Sequence, residues 1–173
     1  MSRLISTFFL VGLLRPAPGT WGSAAALILG MVILRYLGFA ALITATLGVT
    51  LLGFWACLAE LKDRPGADPG EIVIDEVAGQ WLALLFPAAG FFLSPMGQAA
   101  LEKSAGWLPW PAWLVPFVLF RLFDIWKPWL VGRADRRGDP AGVMIDDLWA
   151  GLFAGLGTVV LAVAYHIPLV LMK

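Results

Sequence analysis

The sequence predicts an all-α protein, a polytopic bundle of transmembrane helices with about five spans and an N-terminal interfacial helix. Three observations carry this. Of 173 residues, 60% are apolar and 14% charged, where a soluble domain is roughly half apolar and about a quarter charged; the mean hydropathy is +0.84. Apolar runs near the length that crosses about 30 Å of hydrocarbon recur between polar segments. Nine Trp residues suit anchoring at a membrane–water interface. Lys+Arg and Asp+Glu balance at 12 each, so there is no basic field for nucleic acid, and one Cys excludes a disulfide framework or a Cys-rich metal site. No repeat or low-complexity linker divides the chain, so residues 1–173 read as one domain.

Residues 1–15 open with a basic start and a short apolar run, but Arg15-Pro16-Ala17-Pro18 follows in place of a small-residue cleavage site. They predict an interfacial or half-inserted helix. The first span, Ala24–Leu37, is short and carries Arg35 near its far end. The second, Ala40–Ala59, has no charge; only Tyr36-Leu37-Gly38-Phe39 links it to the first, which predicts a tight hairpin. Asp75–Leu93, apolar after its first two residues, is the third. Ala112–Leu130 is apolar until Arg121, and Ile145–Tyr165 is apolar after Asp146 and Asp147. Gly151 and Gly155, beside Ala150 and Ala154, let the fifth span approach a neighbour closely and bring Asp146 and Asp147 with it. The same small-residue stripe suits a homo-oligomer contact.

With five spans, one side receives Arg3, Arg15, Lys62, Arg64, Arg121, Lys127, Arg133, Arg136 and Arg137, and the other only Arg35, Lys103 and Lys173. The positive-inside rule makes the first side cytoplasmic. Every acid except Glu102 falls on that side too, which the rule does not predict and a carboxylate-rich site at the membrane boundary does.

Three polar clusters stand there: Asp75-Glu76-Val77-Ala78-Gly79-Gln80, Arg121 to Trp129, and Asp146-Asp147 with Gly151. Ionisable residues entering apolar helices are costly and by default face a bundle interior. Asp75, Glu76, Asp124, Asp146 and Asp147 could converge there. Crowded carboxylates call for a cation, and oxygen ligands without His or Cys favour a hard ion, Mg²⁺ first and Mn²⁺ second. Either acidic pair alone is equally well explained as favourable charge at a helix N-terminus. Arg121, Asp124 and Pro128 share a helical face with Lys127 one turn from Asp124; the choice is between an intrahelical ion pair and a cationic clamp for phosphate oxygens. Trp126 and Trp129 read as interface anchors. Before the first span, Pro16 to Ser23 predicts an irregular turn in which Thr20 or Ser23 caps the helix; its Gly19 region also offers free N–H groups to an anion.

Other schemes fail. Cys57 is mid-helix and lacks an Arg at the spacing of a thiol phosphatase. No Asp-x-Asp-x-Thr occurs, and His166, the one histidine, is expected on the far side. That leaves metal-assisted chemistry, with a divalent-cation transporter or channel as the non-enzymatic alternative.

At these motifs the sequence resembles the phosphatidylglycerophosphatase A family of bacterial membrane lipid phosphatases. The stretches are Pro18-Gly19-Thr20-x-Gly22-Ser23, Asp75-Glu76-x-x-Gly79, Phe120-Arg121-x-x-Asp124-x-Trp126-Lys127-Pro128-Trp129 and Gly142-x-Met144-Ile145-Asp146-Asp147-x-x-Ala150-Gly151. Leu130 stands where relatives often have Pro, and Asp139-Pro140 where they tend to glycine. The resemblance implies Mg²⁺-dependent hydrolysis of phosphatidylglycerophosphate to phosphatidylglycerol and inorganic phosphate, at the cytoplasmic face of the bacterial inner membrane. On this reading Asp75, Glu76, Asp124, Asp146 and Asp147 hold metal and Gly19, Thr20, Arg121 and Lys127 bind substrate. The catalytic set is Asp75, Arg121, Asp124, Lys127 and Asp146. Metal-activated water and direct carboxylate attack both remain open, as does another lipid phosphate as substrate.

Overall fold

The computed structural model describes residues 1–62 and 70–171, with side chains described to residue 166. Arg64 and Lys173, both counted in the charge argument, lie outside the described residues. Everything regular among the described residues is helical: α1 (Ser2–Ser6), α2 (Pro18–Leu37), α3 (Phe39–Leu61), α4 (Ile74–Leu93), α5 (Pro95–Lys103), α6 (Trp110–Trp126), α7 (Leu130–Asp135) and α8 (Pro140–Leu171).

Four of these, α2, α3, α4 and α8 up to His166, are long and apolar enough to cross a membrane. The expected fourth span, Ala112–Leu130, is α6, which stops at Trp126 after 17 residues, or about 25 Å, at the short end of what spans a bilayer. It stops because Lys127 adopts a left-handed conformation (φ 51°, ψ 53°), its N–H still bonded to the Phe123 carbonyl, and Pro128 follows. Leu130 therefore begins the separate helix α7.

The hairpin between α2 and α3 is as tight as expected, with only Gly38 between the two helices. Its φ of +85° belongs to the region that side chains rarely adopt. Toward the other end two expectations fail. Residues 16–23 form no irregular turn beyond Ala17: α2 starts at Pro18, whose fixed φ suits a first helical position. Neither Thr20 nor Ser23 caps it, because both already lie inside the helix; the Ser23 hydroxyl donates back to the Gly19 carbonyl at 2.8 Å. Likewise α8 starts at Pro140, so Asp146 and Asp147 lie in its second turn, not its first.

The N-terminal segment is not one helix over 1–15. After α1, Phe8, Phe9 and Leu10 carry positive φ and reverse the chain, and a 3₁₀ turn at Val11–Leu13 returns it. This hairpin is pinned where the Val73 N–H donates to the Ser6 carbonyl at 2.9 Å, and Ile5 and Phe8 pack into the apolar layers of the bundle.

Helix α4 is the central member, packed against α2, α3, α5, α6 and α8. Its approach to α8 is a backbone contact. A Cβ on Gly151 would overlap the Gly79 carbonyl, one on Gly79 would meet the Asp147 carbonyl at 2.5 Å, and one on Gly155 would overlap the Phe86 ring. The close packing expected of Gly151 and Gly155 is therefore present, with α4 as the neighbour. Phe120 of α6 and Val131 of α7 pack against Ala150 and Ala154 of α8 and seal the same region.

Candidate active site

The crossing of α4 and α8 assembles the site. The two helices run parallel and touch at Gly79 and Gly151; one turn toward the start of each stands Asp75 on α4 and Asp147 on α8. Asp75, Glu76 and Asp147 each offer a carboxylate oxygen within 4.8 Å of the others. Asp75 is 7% exposed and Asp147 3%. Glu76 Oε2 and Asp147 Oδ1 are buried with no hydrogen-bond partner among the described residues. Buried carboxylate oxygens so arranged repel one another and are short of donors, so the cluster matches the ligand set of a hard divalent ion.

These three line one wall of a cavity of about 150 Å³. Asp124 from α6, Lys127 and Asp146 line it as well, so all five carboxylates singled out from the sequence share one space. Lys127 Nζ pairs with Asp135 and, at 3.0 Å, with Asp146 Oδ2. Burial alone would lower the Lys127 ammonium, but the hydrogen bond to Asp135 and the charge of Asp146 outweigh it and raise it above the ordinary lysine range. Lys127 is thus a fixed cation at the cavity wall.

Arg121 pairs with Asp124 at 2.5 Å, both side chains 15% exposed, so the intrahelical pair exists; Asp124 lines the cavity and Arg121 stands behind it, outside the lining. Its Nη1 donates to Ser23 Oγ at 3.3 Å, tying α6 to α2. Gly19 sits against this assembly: a Cβ there would collide with the Glu76 carboxylate and come within 3.3 Å of Arg121 Nη2. Thr20, in the same turn, is exposed and is not among the residues lining the cavity.

The sequence assigns no site role to four residues near the site, although Gln80 stands in one of its polar clusters and Ser23 is expected as a helix cap. Asp135 and Asp139 line the cavity, Asp139 held by Arg137 through hydrogen bonds of 3.1 and 2.8 Å. Ser23 is the Arg121 partner. Gln80, one turn below Glu76, is completely buried, and neither its Oε1 nor its Nε2 has a hydrogen-bond partner among the described residues. A buried amide next to an acidic pair was a legible signal; the other three had none. His166 stands 19 residues beyond Asp147 along α8, or roughly 28 Å, and takes no part in the site.

A polytopic helical membrane protein with carboxylates, an arginine and a lysine converging at one end of its bundle is built to handle a phosphate, a divalent cation or both. The family model for phosphatidylglycerophosphatase A matches residues 4–162. The phosphatidylglycerophosphatase A of Haemophilus influenzae is 36% identical over 164 residues, 94% of this chain and 88% of that protein. That of Escherichia coli is 31% identical over 170 residues, covering 96% and 86%. A Bacteroides thetaiotaomicron protein, named as a candidate phosphatidylinositol-3-phosphatase, is 34% identical over 157 residues, 87% of each chain. No solved structure matches. The chain belongs to the phosphatidylglycerophosphatase A family and is a phosphoric monoester hydrolase.

Proposed function

We propose that this protein hydrolyses phosphatidylglycerophosphate to phosphatidylglycerol and inorganic phosphate, using Mg²⁺, at the cytoplasmic face of a bacterial inner membrane. Family membership supports the substrate. The observation that carries the chemistry is the trio Asp75, Glu76 and Asp147, each with a carboxylate oxygen within 4.8 Å of the others, while Glu76 Oε2 and Asp147 Oδ1 have no hydrogen-bond partner among the described residues. The orientation rests on the excess of Lys and Arg at the site end.

Asp75, Glu76 and Asp147 would hold the ion, with Asp124 and Asp146 within the same cavity. When bound, it would polarise the phosphate and favour hydroxide over water as nucleophile. Lys127 places a permanent positive charge at the cavity wall where the phosphoryl oxygens gain charge, and Arg121 supplies a second from α6. Asp124, held by Arg121, is positioned to accept a proton from the attacking water. Gly19 keeps the approach to Glu76 and Arg121 open. As the attacking oxygen bonds to phosphorus, the bond between phosphorus and the glycerol oxygen breaks, and that oxygen takes up the proton given up by the water and leaves as the hydroxyl of the lipid product. The cation-transport alternative wants carboxylates through to the far end, and these are confined to one.

The Bacteroides relative favours a second reading, a different lipid phosphomonoester. One assay separates the two: phosphate release by detergent-purified protein from phosphatidylglycerophosphate, phosphatidic acid and phosphatidylinositol 3-phosphate, with and without Mg²⁺. Mg²⁺-dependent release from the first substrate alone supports the proposal. Preference for another lipid overturns the headgroup, and release independent of divalent ions overturns the metal.

A further inference from the structure

A second cavity, of about 300 Å³, has walls that are almost entirely apolar. The N-terminal hairpin supplies Ile5, Phe8 and Phe9, the face of α3 supplies Gly48, Val49 and Leu52, and α4 supplies Ile74 and Trp81. Its polar groups are spent elsewhere. Trp81 Nε1 donates to the Ala26 carbonyl at 2.7 Å, and the nearby α3 hydroxyls of Thr46 and Thr50 donate to their own helix, each at 2.7 Å. Water needs two to four polar partners to settle in such a space, and here it finds almost none. A hydrocarbon chain needs none.

Two features point to the lipid substrate as the source of that chain. Beyond the adjoining backbone of its own helix, no atom of the described residues lies within 4 Å of where a Cβ on Gly48 would stand, so packing does not require a glycine there; what it contributes is open volume in a helix where glycine is intrinsically unfavourable. The two cavities also share a wall: Ile72 and Asp75 line the carboxylate cavity while Ile74, between them, lines the apolar one. We propose that one acyl chain of the phospholipid substrate lies in this cavity, gripped between the N-terminal hairpin and α3, with its headgroup passing over the start of α4 to Asp75. This rests on the lipid-phosphate reading above and gives residues 1–14 a role in binding.

The test is photolabelling of the full chain in nanodiscs. The probe is phosphatidylglycerophosphate bearing a diazirine midway along one acyl chain, with EDTA present to prevent turnover. Adducts are expected to concentrate on Phe9, Gly48 and Leu52 relative to Val160 and Leu161, exposed residues of α8 that report bulk lipid. Gly48→Leu should abolish that enrichment and raise KM for the long-chain substrate about tenfold, with kcat retained. Val160→Leu, on the exposed face of α8 away from the cavity, should keep both near wild type. Even labelling of both regions, or enrichment indifferent to Gly48→Leu, overturns the acyl site. Wild-type protein that labels as expected but releases no phosphate from phosphatidylglycerophosphate when Mg²⁺ is restored would instead overturn the substrate reading.

Discussion

Replacing Gly19 by Ala sets stability and activity against each other. Gly19 lies in the first turn of α2 with ordinary helical φ, so alanine should stabilise the helix by about 0.5–1 kcal/mol. The added Cβ, however, would occupy the position of the Glu76 carboxylate. To restore van der Waals contact that carboxylate must retreat by about 1 Å. A misplacement of that size can cost about 10²-fold in rate. We therefore expect Gly19→Ala to keep or raise the Tm in detergent while kcat/KM for phosphate release falls by about two orders of magnitude. Shortening the acid, in Gly19→Ala with Glu76→Asp, should recover part of the loss because the space is returned. Undiminished turnover in a stably folded Gly19→Ala protein would refute the placement of Glu76 in the catalytic cluster.

Other perturbations separate the parts of the site. In the proposed metal site, Asp147→Asn would exchange a charged carboxylate for a neutral amide; outer-shell changes at metal sites cost 10–100-fold, so this change should cost about 10²-fold or more, with weakened Mn²⁺ binding by electron paramagnetic resonance. Chelation with EDTA should abolish phosphate release, and added Mg²⁺ should restore it. Gly151→Ala pushes a methyl into the Gly79 backbone, which cannot rotate away, and should lower stability by about 1–3 kcal/mol, read as a fall in Tm. Lys127→Met strands Asp146 in a mostly buried position and removes the cation at the cavity wall, so on the proposed mechanism activity should fall about 10²-fold. Because the folded protein raises the Lys127 pKa, its stabilising effect is complete below the unfolded value of about 10.4 and fades only as pH climbs through the higher folded value. The Tm difference between wild type and Lys127→Met should thus stay constant from about pH 7 to about pH 9.5.

Helix existence was legible because each span is a long apolar run, and the convergence of five acids on one cavity was legible because charge inside such a run is costly. Boundaries were less so. Pro140-Ala141-Gly142 looks like loop by composition, yet Pro is at home in a first turn, and α8 begins there, six residues before Asp146. That start weakens the helix-dipole account of Asp146 and Asp147, while Asp75 and Glu76 do occupy the first turn of α4. Helices α5 and α7 have 9 and 6 residues, too few for a periodic signal. The N-terminal reversal uses three large residues at positive φ, which no propensity favours; only packing against α3 and α4 accounts for it. Asp135 and Asp139 sit in a basic stretch where solvated pairing is the ordinary expectation, and Ser23 is a neutral residue whose role appears only when α6 is laid beside α2.

The cavity walls belong to two different media. Asp75, Glu76 and Asp147 project from helices that extend on through the bilayer, while Asp135, Gly138 and Asp139 belong to the short polar link outside it. If the proposed hydrolysis is correct, its two products would have separate ways out: inorganic phosphate toward water past Asp135 and Asp139, and the dephosphorylated lipid sideways into its own leaflet. Products leaving in orthogonal directions would need no gate opened between turnovers.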